Sequence, residues 1–160
     1  AFSVAANLAG AGQVLNMAMS KTALATGQHN HKINGVKAGA SFAAHDIFSS
    51  WGKITRGGLY DLIVVDPPSY QKGSFIATKD YARLMRRLPD LLAPEGQVLL
   101  CLNAPELGTA FLREQMTEIA PELKFVERLA NPPVFADVNE ECSLKVLVYR
   151  APGLDNTVQP

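Results

Sequence analysis

The chain has 160 residues, no net formal charge, 48% hydrophobic residues and 19% charged residues. This composition predicts one soluble globular domain with a real core, and it excludes a membrane-spanning chain because no apolar run approaches the roughly 20 residues that a span needs. It also excludes a domain that holds nucleic acid through bulk positive charge. The two cysteines, Cys101 and Cys142, fit neither a disulfide framework nor a metal site, so we expect a cytoplasmic protein.

Helices and strands alternate along the first half of the chain. The opening residues predict a short helix that ends at Gly10, and a second helix over 21–32 ends at Asn34 and Gly35. Strands are predicted at 13–17, 38–44 and 61–65, with a short helix over 47–53. The third strand contains the continuous apolar run LIVV, which is typical of a strand covered on both faces in a parallel sheet.

The second half of the chain continues the alternation of helices and strands and then ends in two consecutive strands. A helix is predicted over 78–92, closed by a turn at 94–96, followed by a strand over 98–102 and a helix over 106–119. Two strands over 123–129 and 144–149 follow without a helix between them, which favours an antiparallel hairpin. The sequence therefore predicts a doubly wound, mostly parallel α/β sheet that ends in a hairpin, with a domain over residues 1–150 and a flexible tail over 151–160.

Polar and rigid residues follow the predicted strands, where open α/β sheets bind their ligands. The third strand is followed by Asp66, Pro67 and Pro68, and the fourth by Asn103. Because the two prolines fix their φ angles and lack backbone donors, the strand end behind Asp66 is held stiff. The simpler interpretation is that the prolines end a strand and that Asp66 caps a turn.

The segment VVDPPSY resembles motif IV of class I S-adenosylmethionine-dependent methyltransferases. The segments MSKTALATGQHNHKING, AAHDIFSSW and LLAPEGQVLLCLN are similar, in the same order, to the ribosomal RNA large-subunit methyltransferase family. This resemblance covers nearly the whole chain. It implies a Rossmann-like methyltransferase fold, S-adenosyl-L-methionine as cofactor and ribosomal RNA as partner.

The resemblance also implies a role for individual residues. The residues implied to hold the acceptor base are Asp66, Pro67, Pro68 and Tyr70, with Asn103 in contact with it. The residues implied to lie at the cofactor are Ala18, Met19, Asp46, Ile47 and Asp66. Asp46 would accept a hydrogen bond from the adenine amino group, and its position also suits the N-cap of the following helix.

Two departures from the family pattern weaken the expected cofactor site. The family has an acid that grips the ribose hydroxyls where this chain has Ala18, and a methyl group cannot accept those hydrogen bonds. The glycine-rich loop and the central strand that precede this region in the family are absent. We therefore expect either that the natural protein is longer or that a partner supplies the strand.

The cysteines bear on the atom that is methylated. Methylation of cytosine carbon-5 needs a thiolate that adds to the ring, and the family position for that cysteine holds Asn103 here. Cys101 lies within an apolar strand and Cys142 just before another, so packing is the favoured interpretation for both. A ring nitrogen is therefore favoured over carbon-5 as the acceptor.

The remaining features are less specific. Basic residues recur after the Asp-Pro-Pro segment and would form either a phosphate-binding face or an ordinary solvated face: Lys72, Lys79, Arg83, Arg86 and Arg87. The segment NPPVF at 131–135 lies between the two late strands, where it would line the acceptor pocket. The histidines have no spacing that suits shared metal ligation, so no metal site is predicted.

Three alternatives to an RNA methyltransferase stay open at this point. Ala18 favours a non-catalytic domain that keeps the fold and binds RNA or protein. The absence of net charge favours a methyltransferase that acts on protein or a small molecule. A nicotinamide-dependent oxidoreductase is the most distant alternative, since neither the Asp-Pro-Pro segment nor the late hairpin has a place in it.

Overall fold

The computed structural model describes residues 1–71 and 75–154, and the chain divides into two compact units, Ala1–Arg56 and Gly57–Pro160. The first unit contains α1 (Phe2–Leu8), β1 (Val14–Ala18), α2 (Lys21–Ile33), β2 (Ala40–Ala44), a 3₁₀ turn (Ile47–Ser49) and α3 (Trp51–Arg56). Strands β1 and β2 pair in parallel, with Val14 opposite Ala40 and Ala18 opposite Ala44. Their carboxyl ends therefore meet at one edge.

Local capping explains where α2 begins and ends. The hydroxyl oxygen of Ser20 accepts a hydrogen bond from the Ala23 amide, which satisfies one of the free donors of the first turn. The helix ends at Asn34, and Gly35 follows with a φ of 71°, a conformation that glycine adopts without strain. The predicted boundaries of this helix are confirmed to within one residue.

The second unit carries a mixed sheet. Its elements are β3 (Tyr60–Val65), β4 (Tyr70–Gln71), β5 (Phe75–Ile76), α4 (Ala77–Met85), α5 (Leu88–Leu91), β6 (Leu92–Leu102), α6 (Thr109–Ile119), β7 (Lys124–Leu129), a 3₁₀ turn (Pro133–Phe135) and β8 (Lys145–Arg150). The strand order is β3-β6-β8-β7, in which β3 and β6 are parallel and the other pairs are antiparallel. The predicted antiparallel finish is confirmed, with β8 inserted between β6 and β7.

The core of this unit lies around β6 and β8. Apolar side chains of both strands are almost completely excluded from solvent, as are those that α4 and α6 contribute: Val98, Leu100, Leu102, Leu147, Tyr81, Met85, Leu112 and Met116. The rings of Tyr81 and Phe111 meet edge to face, with centroids 6.3 Å apart, where α4 and α6 are in contact. Burial of these side chains fixes the positions at which β3 and β6 end.

Two predicted elements of the second unit are organised differently in the structure. The helix predicted over 78–92 is divided, because Pro89 lacks an amide hydrogen and stands in the first turn of the separate helix α5. The turn predicted at 94–96 lies inside β6, where Glu95 has a φ of 62° and the pairing with β3 shifts register between Tyr60 and Leu62.

The expectation that β3 is covered on both faces is wrong for the residues that the structure describes. Leu62 is 50% exposed, and Ile63 to Val65 are only half-buried. Within the described ranges β3 pairs with β6 alone, just as β1 pairs with β2 alone. An apolar run predicts that a strand should be covered, but the cover itself must come from other elements.

The first residues of the predicted tail have defined backbone contacts. The Ala151 amide donates to the Gly96 carbonyl at 2.8 Å, and the Glu95 amide donates to the Pro152 carbonyl at 3.1 Å. The rest of the predicted tail, 155–160, lies outside the described residues. No described helix combines the length and the apolar character that crossing a bilayer requires.

Candidate functional site

The first unit places four predicted cofactor residues at the carboxyl ends of β1 and β2. Ala18 is the last residue of β1, and its carbonyl accepts a hydrogen bond from the His45 amide at 3.1 Å. Met19 follows directly and is 58% exposed. Asp46 and Ile47 follow His45 at the start of the 3₁₀ turn. The parallel pairing of β1 with β2 therefore brings Ala18 and Met19 beside the Asp46 segment.

Asp46 acts as an N-cap and still has one carboxylate oxygen to offer. Its Oδ1 accepts a hydrogen bond from the Phe48 amide at 2.9 Å, and its carbonyl accepts one from the Ser49 hydroxyl. Its Oδ2 has no hydrogen-bond partner among the described residues, and the residue is exposed. The cap and the adenine contact are therefore compatible, because they use different oxygens.

The fit of these residues to S-adenosylmethionine is partial. A free carboxylate oxygen on Asp46 beside the apolar side chains of Met19 and Ile47 suits an adenine ring, which has an amino edge and two apolar faces. Ala18 offers no acceptor to the ribose, and the oxygen of the nearest hydroxyl, on Ser20, already caps α2. The adenine end fits these residues, whereas the ribose end lacks the usual acid.

The second unit brings the Asp-Pro-Pro segment and Asn103 together. Val65 of β3 lies opposite Leu100 of β6, so the two strands end at the same edge. The Ser69 hydroxyl donates a short hydrogen bond to the Asn103 carbonyl, and the Ser69 carbonyl accepts one from the Ala77 amide at 3.0 Å. Ser69 is thus the residue that ties the segment to the end of β6, a role that the sequence analysis did not assign.

Asp66 is an exposed residue at the end of β3, and its carboxyl is partly desolvated by the surrounding protein. Burial raises the pKa of the Asp66 carboxyl above its ordinary value. Burial and, to a lesser degree, the Asp66 charge raise the pKa of the Cys101 thiol to about 11. The pKa of Tyr81 rises through burial first and then through Cys101 and Asp66, and its hydroxyl donates to the Cys101 carbonyl. Cys101 therefore stays a protonated, buried thiol at neutral pH, in agreement with the packing role predicted for it.

Pro68 and Tyr70, which follow Asp66 in the same segment, are exposed to solvent. Tyr70 begins the short strand β4, which pairs with β5, and its side chain is 68% exposed. Pro67 is half-buried and Pro68 is exposed. A stiff edge with an exposed aromatic ring suits contact with a flat group.

A cavity of about 460 Å³ opens beside Asn103 in the same unit. It is lined by residues that follow β6 and by residues of the long connection between β7 and β8: Asn103, Pro105, Asn131, Pro132, Phe135, Asp137, Cys142, Ser143 and Leu144. The NPPVF segment therefore lines a cavity, and that cavity includes Asn103. Cys142, for which packing is the favoured interpretation, is partly buried and contributes to the lining of this cavity.

A buried lysine fixes two walls of this cavity. Lys145, the first residue of β8, is completely buried, and its Nζ donates to the Ala104 carbonyl at 2.7 Å and to the Glu141 carbonyl at 2.9 Å. Burial lowers the pKa of Lys145, and the charge of Glu141 opposes that shift. The sequence signal was a lysine at the start of the apolar strand KVLVY, which the sequence analysis did not use.

Glu141 connects the same loop to helix α6 and to β7. Its carboxylate accepts hydrogen bonds from the Thr109 amide and hydroxyl at the first residue of α6. Arg128 of β7 forms an ion pair with it and also donates to the Glu140 carbonyl. These bonds lower the pKa of Glu141, the Thr109 amide being the largest cause.

Glu141→Gln is expected to lower the free energy of unfolding by about 1 kcal/mol at neutral pH, because a neutral amide caps a helix less well and loses the ion pair. The folded pKa of Glu141 is depressed, so its stabilisation is present above the unfolded pKa and disappears as the pH falls through the folded pKa. Urea denaturation at neutral and acidic pH measures both effects. Glu140→Gln is the matched control, since Glu140 contributes only its backbone carbonyl. Equal losses in the two variants at neutral pH would contradict the role of Glu141.

The predicted basic face is exposed where the structure describes it. Lys79, Arg83, Arg86 and Arg87 all have exposed side chains on or just after α4, and Arg83 pairs with Asp80 at 2.8 Å. Lys72 lies outside the described residues. The described part of the chain contains no group of three or more histidine, cysteine or acidic residues that could hold a metal ion.

A sheet of parallel strands that ends in an antiparallel hairpin, with an Asp-Pro-Pro segment at a strand end, defines the methyltransferase class of Rossmann-like folds. Residues 1–150 match the family model of S-adenosylmethionine-dependent methyltransferases, and the chain belongs to that family. The family and the fold predicted from the sequence are confirmed.

Relatives and solved structures agree with this assignment. The chain is 32% identical over 163 residues to ribosomal RNA large subunit methyltransferase I of Tolumonas auensis, a match that covers 94% of the chain and 41% of that protein. It is 34% identical over 107 residues to ribosomal RNA large subunit methyltransferase K/L of Shewanella loihica, covering 63% of the chain and 15% of that protein. The crystal structure of the methyltransferase SMU.776, complexed with SAH, superposes with a TM-score of 0.82 at 25% identity, covering 94% of the chain and 42% of that protein. The chain thus spans about two fifths of the length of the first and third of these proteins.

Proposed function

We propose that this protein transfers a methyl group from S-adenosylmethionine to a base of RNA, with large-subunit ribosomal RNA as its substrate. The observation that carries the proposal is the Asp66-Pro67-Pro68 segment, fixed to the end of β6 by the Ser69–Asn103 hydrogen bond. Methyl transfer is an in-line displacement, so a stiff strand end that aligns the acceptor supplies much of the catalysis. The relatives named as ribosomal RNA methyltransferases support the substrate class.

The residues divide into two groups by the part of the reaction that they serve. Met19, Asp46 and Ile47 hold the adenine end of the cofactor, which supplies an electrophilic methyl group when bound. Asp66 and the carbonyls of the stiff segment accept hydrogen bonds from the acceptor base, Tyr70 stacks on it, and Asn103 contacts its edge. Lys79, Arg86 and Arg87 contact phosphates of the RNA.

A ring nitrogen is the acceptor that these residues favour. Asn103 cannot form the covalent adduct that carbon-5 chemistry needs, and the raised pKa of Cys101 keeps its thiol protonated. A ring nitrogen carries its own lone pair and needs no thiolate. Digestion of labelled RNA to nucleosides, followed by mass spectrometry, distinguishes an N-methylated purine from 5-methylcytosine.

Asp46→Ala is expected to weaken binding of S-adenosylmethionine about tenfold or more, because it removes a charged acceptor at the adenine edge. Calorimetric titration of the protein as its gene encodes it measures the change. Asp61→Ala, which removes an exposed acid at the amino end of β3, is the matched control and should bind like the wild type. Equal affinity of the two variants would remove Asp46 from the cofactor site.

A non-catalytic domain that binds RNA or protein is the second candidate, and Ala18 is the observation that favours it. Ala18 leaves the ribose hydroxyls without their usual acceptor. A folded protein that takes up no S-adenosylmethionine in the same titration would support this candidate over the enzyme. Transfer of label from S-adenosylmethionine to total RNA, but not to total protein, would exclude it and would also exclude a protein methyltransferase.

A further inference from the structure

A second cavity of about 460 Å³ opens where β6 begins and β8 ends. It is lined by Glu95 of β6, Lys124 of β7, Arg150 of β8 and residues 151–154, which follow β8. We call it the Lys124–Arg150 cavity. Two of its three charged side chains are cations, so its lining carries a net positive charge and suits an anion.

The Lys124–Arg150 cavity lies at the end of the sheet opposite to Asp66. Arg150 is opposite Gln97 of β6, and Gln97 is opposite Leu62 of β3. Asp66 comes four residues after Leu62, just beyond the carboxyl end of β3. At about 3.3 Å per residue, the two places are separated by about 13 Å along the strands. A ligand in this cavity would therefore lie apart from an acceptor held at Asp66.

The pairing of β7 with β8 places two cations side by side. Lys124 and Arg150 are directly opposite in the antiparallel register, so their side chains leave the sheet on the same face. Phe125 and Tyr149, the next pair, contact each other on the other face, with ring centroids 5.6 Å apart. Like charges directly opposite each other destabilise a sheet, so the contribution of this pair to stability does not explain it.

The two cations are poorly neutralised within the protein. Glu95 approaches Arg150 at 3.7 Å, which is too long for a hydrogen bond, and both side chains are about half exposed. Among the residues that the structure describes, Lys124 has no ion-pair partner, and neither cation donates a side-chain hydrogen bond. The guanidinium and the ammonium are therefore free to bind an anion, and a planar fork beside a point charge suits a phosphate group.

We propose that Lys124 and Arg150 bind a phosphate of the RNA backbone. This inference rests on the proposed function, which supplies RNA as the substrate, and it adds an RNA contact at the end of the sheet away from the acceptor. Because of that separation, the bound phosphate belongs to a different nucleotide from the one that is methylated. An acidic peptide would offer the same charge, but protein interfaces have an apolar centre, and the lining of this cavity is more polar than apolar.

Arg150→Gln and Lys124→Gln test the proposal, since each removes one charge and keeps a polar side chain. Fluorescence anisotropy measures binding of a single-stranded oligoribonucleotide to the protein as its gene encodes it, at several KCl concentrations. Loss of one phosphate contact should reduce the slope of log K against log salt concentration by about 0.7 and weaken binding about fivefold at low salt. Neither thermal midpoint should fall, because each substitution removes one of two like charges.

Arg113→Gln is the matched control. The Arg113 guanidinium lies 4.6 Å from the centre of the Phe125 ring, on the face of β7 away from the Lys124–Arg150 cavity. The same chemical change there should leave the salt slope unchanged, even where loss of the contact with Phe125 lowers the thermal midpoint. Polyglutamate and inorganic phosphate are titrated in parallel as alternative anions.

The possible outcomes separate this site from the proposed function. An unchanged salt slope in both cavity variants, or a wild type that binds no RNA, overturns the inference. Variants that lose affinity for polyglutamate or inorganic phosphate but not for RNA also overturn it, and they assign the cavity to an acidic peptide or a free anion. A wild type that methylates RNA while the slopes stay unchanged keeps the proposed function and removes this site. Reduced slopes with no methyl transfer by the wild type would contradict the proposed function and leave this site standing.

Discussion

Replacing Lys145 with methionine is expected to lower the free energy of unfolding by about 2–4 kcal/mol, the largest stability loss that we expect from one substitution in this chain. Methionine has a similar length but no donor, so the buried carbonyl of Ala104 and the partly buried carbonyl of Glu141 would both lose their partner. Urea denaturation followed by circular dichroism measures the loss. The slope of the transition should stay the same, since the surface exposed on unfolding does not change.

Lys124→Met is the control for this prediction. Lys124 begins the edge strand β7 and is exposed, so the same chemical change there should alter stability by no more than about 0.5 kcal/mol. Similar losses in the two variants would contradict the conclusion that the hydrogen bonds of Lys145 stabilise the fold. A second expected consequence is local: Cys142, at the loop that Lys145 holds, should be alkylated faster in Lys145→Met than in the wild type.

These hydrogen bonds form a continuous connection from the Asp-Pro-Pro segment to the far side of the cavity. Ser69 binds the carbonyl of Asn103, Lys145 binds that of the next residue, and the same lysine reaches Glu141. Glu141 in turn caps α6. The Asp-Pro-Pro segment and the cavity beside Asn103 are therefore positioned by one set of connected hydrogen bonds.

Local signals allowed most elements of the fold to be predicted. Apolar runs located β3 and β6, and the Asn34–Gly35 signal located the end of α2 to within a residue. The antiparallel finish followed from two strand patterns with no helix between them. These signals depend on residues that are neighbours in sequence, and such local preferences survive in the folded chain.

The sequence analysis did not predict features that depend on contacts between residues far apart in the chain. The β4–β5 pair consists of two short strands without a periodic pattern, and the register shift at Glu95 depends on the close approach of Gly96 to the Tyr60 carbonyl. The burial of β3 was overestimated, because an apolar sequence does not reveal which neighbours are present to cover it.

The candidate site, like the fold, could be predicted only in part. The approach of Asn103 to the Asp66 segment could be predicted, because the carboxyl ends of parallel neighbours meet at one edge. Apart from the NPPVF segment, the walls of the cavity could not be predicted, because they are held by bonds between residues far apart in sequence, such as Lys145 with Ala104 and Asn131 with Ser143. The position of Cys142 in that cavity followed from these bonds and not from any local pattern.

Asp66→Asn is expected to decrease methyl transfer by at least about a hundredfold and, at the same time, to stabilise the fold at neutral pH. The asparagine keeps the shape but loses the charge that accepts hydrogen bonds from the acceptor base. Burial raises the folded pKa of Asp66, so folding favours the protonated form, and the ionised form is penalised once the pH exceeds the folded pKa. Below the unfolded pKa the carboxyl is neutral in both states, and the stability difference between variant and wild type should vanish.

The combination of these two effects separates a functional acid from a structural one. An acid that merely caps a turn would stabilise the ionised fold, and its replacement by asparagine would lower the thermal midpoint at neutral pH. Asp61→Asn, at the exposed amino end of the same strand, is the control and should change neither activity nor midpoint. Thermal unfolding across acidic and neutral pH, together with label transfer to RNA, measures both effects. A less stable Asp66→Asn with normal transfer would mean that the Asp-Pro-Pro segment only ends a strand. A more stable and inactive variant would mean that the fold tolerates a partly desolvated charge because the reaction needs it.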